Sequence, residues 1–341
     1  MALELGIDTF GDVTMGADGE LLSHAQTVRN VVEEGVLADQ VGLDAIGVGE
    51  HHRDDFAVSS PEMVLAAIAA RTERIRLASA VTVLSSDDPV RVYERYSTLD
   101  AISSGRAEVV LGRGSFTESF PLFGFRMEDY EALFEEKLEV FSRLRTAQPV
   151  TWRGTHVQNL DQVTVYPPVE HGPLRAWVAV GGSPQSVVRA AHHDLPLMLA
   201  IIGGPVPRFA PFADLYRRAL EQMEREPRPV GYHSYGHVAE SDDQAKEEIY
   251  PHYVEQVERI GRERGWSRPS RASFEHEAEH GAMAVGSPET VARKIAEGVR
   301  ALGAERFDLK VSTGRLPHEK IMRSIELYGT TVAPMVRDML A

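Results

Sequence analysis

The chain has 341 residues, 43% hydrophobic and 26% charged, and its 36 Lys and Arg against 51 Asp and Glu leave a formal net charge of −15. That composition supports a large folded core, and its acidity argues against a nucleic-acid or anionic-membrane partner, because phosphate surfaces require basic patches. There is no cysteine, which excludes disulfides, thiolate catalysis and Cys-ligated zinc or iron–sulfur centres.

The start Met1-Ala2-Leu3-Glu4-Leu5 lacks the basic and apolar regions of a signal peptide. No stretch reaches about 18 uninterrupted apolar residues, so no membrane span is expected and a cytoplasmic location is the default. Leu3–Phe10 reads as a first strand, followed by a helix over His24–Val41, with Val28, Val32 and Val36 on one face. Ala45–Gly49 is strand two. Ser60-Pro61 and Asp88-Pro89 are cap-plus-proline helix starts. Ile75–Leu84 and Ala107–Gly112 are strands three and four, and the stripe Tyr130, Leu133, Phe134, Leu138, Phe141, Leu144 is a core-facing helix.

Residues 151–170 break the rhythm and read as an inserted hairpin. Strands five to eight are Trp177–Val180, Leu197–Ile202, Val230–Val238 and Phe307–Val311. Helices start at Pro184, Pro211, Asp242 and Pro288, Pro269–Glu279 is a polar excursion (the second half of an insertion near 242–280), and a last helix covers His318–Met339. Eight alternating strand–helix units predict an α/β fold, a single (β/α)8 TIM barrel with insertions, occupying 1–341 as one domain.

Chemistry concentrates where strands end. Strand two ends in Glu50-His51-His52, an acid and two imidazoles delivered by a buried strand, suited to proton transfer. Strand three carries the small residues Ala78-Ser79-Ala80-Val81, against which a flat group can lie; plain close packing explains them equally well. Arg113 stands between Gly112 and Gly114 at the end of strand four, and it needs either an anionic ligand or an acidic helix. Gly181-Gly182-Ser183-Pro184-Gln185-Ser186 opens a helix whose free amides make either a phosphate seat or an ordinary cap. His276-Glu277-Ala278-Glu279-His280 matches the H-E-x-x-H zinc pattern, but its acidic neighbours leave no apolar face and no third ligand is evident. No metal site is therefore assigned. The pairs Asp54-Asp55, His192-His193 and Asp242-Asp243 read as solvated ends.

In order and spacing these residues, together with Asp88-Pro89-Val90-Arg91, Ser104-Gly105-Arg106 and Leu195-Pro196-Leu197, resemble the bacterial luciferase-like family of flavin-dependent oxidoreductases along the whole chain. The resemblance implies a (β/α)8 barrel, often dimeric, binding reduced FMN or a deazaflavin at the C-terminal mouth. It implies that Arg113, Gly182, Ser183 and Ser186 hold the phosphate, that His51 is the catalytic histidine, and that a non-proline cis bond joins Ala80 and Val81 against the isoalloxazine. Gly112 stands where luciferase has a reactive cysteine, so light emission is not inherited.

The reading is an FMN-dependent monooxygenase that oxidises a small organic substrate with oxygen through a flavin hydroperoxide. A separate flavin reductase supplies the reduced flavin. The alternatives are a deazaflavin-dependent dehydrogenase, a non-catalytic flavin-binding protein and, remotely, a zinc hydrolase.

Overall fold

Eight parallel strands form the centre of the computed structural model, which describes residues 3–341. Met1 and Ala2, at the head of the start read above, lie outside the described residues. The strands are β1 (Glu4–Thr9), β2 (Ala45–Val48), β3 (Arg76–Ser79), β4 (Ala107–Gly112), β5 (Arg175–Val180), β6 (Leu197–Ala200), β7 (Val230–Val238) and β8 (Arg306–Lys310). They pair in sequence order, and the ring closes because β8 pairs with both β7 and β1. The architecture is the (β/α)8 barrel expected from the alternating pattern.

Local chemistry sets the helix starts. Asp88, Ser183 and Ser287 accept backbone N–H groups of their first turns, and Pro89, Pro184 and Pro288 follow them, where a missing N–H costs nothing. Leu5, Ile7, Phe307 and Leu309 alternate outward into the main core beneath the helices. The alternate positions point inward. Ala78, Val110, Trp177 and Met198 form an apolar cluster there. In contact with it through Trp177 lies buried charge: Arg306 donates to Asp308 (Nε to Oδ2, 2.9 Å) and to Glu108, and all three are buried. Glu108 also faces Arg175 at 3.3 Å and Arg76 at 3.9 Å. Burial opposes its ionisation, yet these three guanidinium groups hold its carboxyl below the usual carboxylate range.

Four expectations change. Strand three is interrupted: β3 stops at Ser79, and Thr82–Val83 pairs separately with Leu111 and Gly112 of β4. The stretch Pro269–Glu279 is mostly helix (Arg271–His280), because Phe274 and Ala278 supply the apolar face that its acidic residues concealed. The last helix is split by a π turn at Tyr328–Val332 into His318–Leu327 and Ala333–Leu340. Ala284–Gly286 forms a short strand paired in parallel with Gly236–Val238 of β7, which the sequence reading passed over. The inserted hairpin is present, with Val150–Trp152 antiparallel to Leu160–Val163. Among the described residues no helix is long and apolar enough to cross a membrane.

Candidate active site at the barrel mouth

His51 follows β2 directly and enters an aromatic box. Its ring lies 4.1 Å from Phe56, 5.2 Å from Phe10 and 5.1 Å from Phe116, the last edge-on. Burial pushes its pKa down to about 3, and the positive charge of Lys310 and the neighbouring His52 and Arg53 act in the same direction. The imidazole is therefore neutral at physiological pH. Its Nε2 is buried and has no hydrogen-bond partner among the described residues, an arrangement suited to a reacting oxygen or a proton and expensive otherwise.

Glu50 and His52 do something different from His51. Glu50 Oε1 meets His52 Nε2 at 3.0 Å, and Oε2 accepts the Val83 amide at 2.9 Å. The acid thus clamps the β2 end to the segment after β3. In that segment the Ala80–Val81 peptide bond is cis, as the resemblance implies. Val81 also explains Gly112: a Cβ there would stand 2.5 Å from Val81 Cγ2, so the valine fills the space a larger residue would need.

Arg113 and the Gly182–Ser186 turn are linked through Glu131 and a residue the sequence reading missed, Arg189. Arg113 pairs with Glu131 on the helix Tyr130–Thr146, the acidic-helix alternative weighed above. Arg189, one turn beyond Ser186, donates to Ser186 Oγ at 3.2 Å and to the second oxygen of Glu131, also at 3.2 Å. Glu135 is its further partner. Each guanidinium is backed by a ring, Arg113 by Tyr130 and Arg189 by Phe134, both at 5.4 Å. Ser183 caps its own helix through the Ser186 amide. Gly182 has φ +112°, a conformation L side chains rarely adopt. The i, i+3 spacing of Ser186 and Arg189 was the available signal for the second arginine.

Three inward residues also escaped the sequence reading. His233 of β7 places Nδ1 3.0 Å from Oδ2 of Asp8 on β1. Lys310, at the end of β8, is buried with Nζ 3.5 Å from Asp12, between the rings of Phe10 (4.4 Å) and Tyr235 (4.8 Å). Burial lowers its pKa, with Asp12 opposing. Burial pushes Asp308 up, with Arg306 opposing and Asp8 reinforcing.

The rim is tied by Arg53. It donates to Asp55 at 3.0 Å, to Glu263 at 2.8 Å and to Glu118, and lies 5.0 Å from the centre of the Phe116 ring. Arg264 stacks on Phe116 as well, at 4.9 Å. Two loops, following β2 and β4, and the C-terminal end of the helix Asp242–Arg264 after β7 thereby meet at the rim beside His51.

Two other groups stand apart from this mouth. In the H-E-x-x-H stretch, Glu277 accepts the Gly204 and Ala282 amides at 3.0 and 3.1 Å, so it secures a helix end and is not free to act as a base. His192-His193 is not a solvated pair: the His193 side chain is only 5% exposed.

The fit to a flavin phosphate is good. Two arginines, a serine hydroxyl and a helix N-terminus meet in a chain that is otherwise strongly acidic, and the unpartnered His51 nitrogen lies at the same mouth.

Comparison with known proteins places the chain. Residues 9–306 match the model of the luciferase-like monooxygenase family. An N-acetyl-S-alkylcysteine monooxygenase of Bacillus subtilis is 30% identical over 186 residues, 53% of each chain, so the match spans about half of that enzyme. Among solved structures, the monooxygenase RslO1 of Streptomyces bottropensis superposes with a TM-score of 0.82 at 25% identity, covering 97% of this chain and 99% of that one. The oxygenating constituent of 3,6-diketocamphane monooxygenase of Pseudomonas putida, in complex with FMN, gives 0.78 at 19% identity, with 98% and 99% covered. An F420-dependent secondary alcohol dehydrogenase gives 0.77 at 16%, with 99% and 100% covered. The chain belongs to the luciferase-like monooxygenase family of flavin-dependent oxidoreductases.

Proposed function

We propose that the protein is a monooxygenase that uses reduced FMN and molecular oxygen to oxidise a small organic substrate. The observation that carries this reading is the arginine pair beside the Ser183–Ser186 helix start, whose shared counter-ion Glu131 a phosphate dianion would replace, gaining two guanidinium groups and the helix amides as donors. Arg113, Arg189 and Ser186 bind the phosphate, with the backbone at Gly182 and Ser183 approaching closely. Ala80 and Val81 present a small, flat surface to the ring system. His51, neutral and desolvated, exchanges a hydrogen bond or proton with the reacting oxygen through Nε2. The Arg53-tied rim, two loops and the end of the helix Asp242–Arg264, excludes water from that nitrogen. Bound reduced flavin supplies the electrons and the activation of oxygen.

The reading includes a homodimer, supported by Met63 and Ile102, 73% and 54% exposed on the helices Pro61–Ala69 and Pro89–Ser103. It also includes a separate reductase as the source of reduced flavin. A deazaflavin-dependent dehydrogenase is the second reading, favoured by the likeness in fold to an F420 enzyme. Identification of the co-purifying flavin, followed by a turnover screen with FMNH2, oxygen and candidate aldehydes, alkanes and sulfonates, decides between them. Oxygen-dependent product formation supports the monooxygenase. Turnover only with the deazaflavin, without oxygen, supports the dehydrogenase. Light scattering at micromolar concentration tests the dimer.

A further inference from the structure

A cluster of ligand-type side chains lies on the outside of the barrel, remote from the mouth. Glu139 projects from the helix Tyr130–Thr146, and His192 and His193 stand at the C-terminal end of the helix Pro184–His192. Each offers a donor atom, and the three donors lie within 4.8 Å of one another. His193 Nδ1 is already 3.7 Å from Glu139 Oε2, against about 3.4 Å between two ligands of a tetrahedral zinc ion with bonds near 2.0–2.1 Å. The two imidazoles are edge-to-face, with centres 5.1 Å apart.

The surroundings hold this arrangement in place. Arg143 donates to the other carboxylate oxygen, Oε1, at 2.7 Å and stacks on Trp152, orienting Glu139 so that Oε2 faces the histidines. Glu136 accepts the amides of Thr155, His156 and Val157, which fixes the insertion's first turn beside the cluster. The result is an open cleft of about 490 Å³ whose lining includes all three donors and a further imidazole, His156. Helix carbonyls point toward this end, and the negative end of the dipole favours a cation. Of the two other acids lining the cleft, Glu135 is occupied by Arg189 and Glu136 by the three amides, and neither takes part.

We propose that Glu139, His192 and His193 form a site for a divalent transition metal, zinc in the first instance, with the remaining position open to water or to His156. A two-imidazole, one-carboxylate set without thiolate suits borderline ions and disfavours magnesium and calcium. The helix spans nine residues, roughly 13 Å at 1.5 Å per residue, between this site and the phosphate seat at its other end. The metal therefore acts on structure: it clips two neighbouring barrel helices together and does not enter the redox chemistry.

The test uses the full-length, tag-free protein after EDTA treatment and dialysis. Zn²⁺ is titrated calorimetrically, Co²⁺ is followed by its visible absorption, and melting is recorded with and without Zn²⁺. We expect one saturable site, tetrahedral Co²⁺ bands, and a Zn²⁺-dependent rise in melting temperature. His192→Ala changes an exposed side chain and should leave metal-free melting unchanged, while weakening Zn²⁺ by about tenfold or more. Glu139→Gln should weaken it similarly. His276→Ala, in the H-E-x-x-H stretch, should change nothing. Absence of saturable binding, equal binding by His192→Ala and Glu139→Gln, or loss confined to His276→Ala overturns the proposal.

Discussion

Arg113 and Arg189 share one counter-ion: the two oxygens of Glu131 are divided between them. If the proposed phosphate is held by these two guanidinium groups, it competes with that carboxylate. A hydrogen bond to a charged group contributes about 1.5–3 kcal/mol. Arg113→Ala and Arg189→Ala should therefore each weaken FMN by roughly 10- to 100-fold and riboflavin, which lacks the phosphate, far less. Glu131→Gln should tighten FMN selectively. Paired FMN and riboflavin titrations measure both effects, and equal losses for the two ligands would make the arginines structural.

His51 should matter for chemistry more than for binding. Its box is formed by Phe10, Phe56 and Phe116, apart from the phosphate seat. His51→Ala should keep FMN affinity within about tenfold, roughly 1.4 kcal/mol, while losing most turnover. A variant with undiminished turnover on a genuine substrate would remove His51 from the mechanism.

The same burial makes a pH prediction. Folded His51 titrates at about 3 and an unfolded histidine near 6.5. Between these values only the unfolded chain carries the proton, so this contribution to stability is complete above pH 6.5 and is lost as pH falls toward 3. Relative to His51→Phe, which cannot titrate, the wild type should lose about 1.4 kcal/mol per pH unit between pH 6 and 4. Urea unfolding of both proteins across that range measures the difference, and parallel curves would show that His51 is not desolvated.

Gly112 and Val81 should behave as a complementary pair. Gly112→Cys places a Cβ against Val81 Cγ2 and must displace the segment beside the proposed ring site. Overpacking of this kind costs about 1–3 kcal/mol. Stability and FMN affinity should both fall, and Val81→Ala in the same chain should restore much of each. No rescue would mean that the clash is relieved elsewhere.

Glu108 should be structural alone. Glu108→Gln leaves Arg306 buried with Asp308 as its only remaining acid partner of the pair and should destabilise by about 3–5 kcal/mol. FMN affinity should hold under conditions where the variant is folded. Chemical denaturation reads the first effect and titration the second.

By itself the sequence determined what is local. Cap-plus-proline starts at Asp88-Pro89, Ser183-Pro184 and Ser287-Pro288 place three helices, since their hydrogen bonds close within one turn. Alternating strand and helix prescribes a closed parallel barrel, and His51 at the end of β2 was legible as a mouth residue for the same reason. Tertiary structure decided everything that depends on partners distant in the chain. It divided Glu131 between Arg113 and Arg189, and turned Glu50 into a clamp on the Val83 amide. It paired Asp8 with His233 across 225 positions, and drew His193 from an apparently solvated pair into contact with Glu139. A side chain's charge state and role follow from its neighbours and its access to water, and residue type and spacing along the chain constrain neither until the barrel closes.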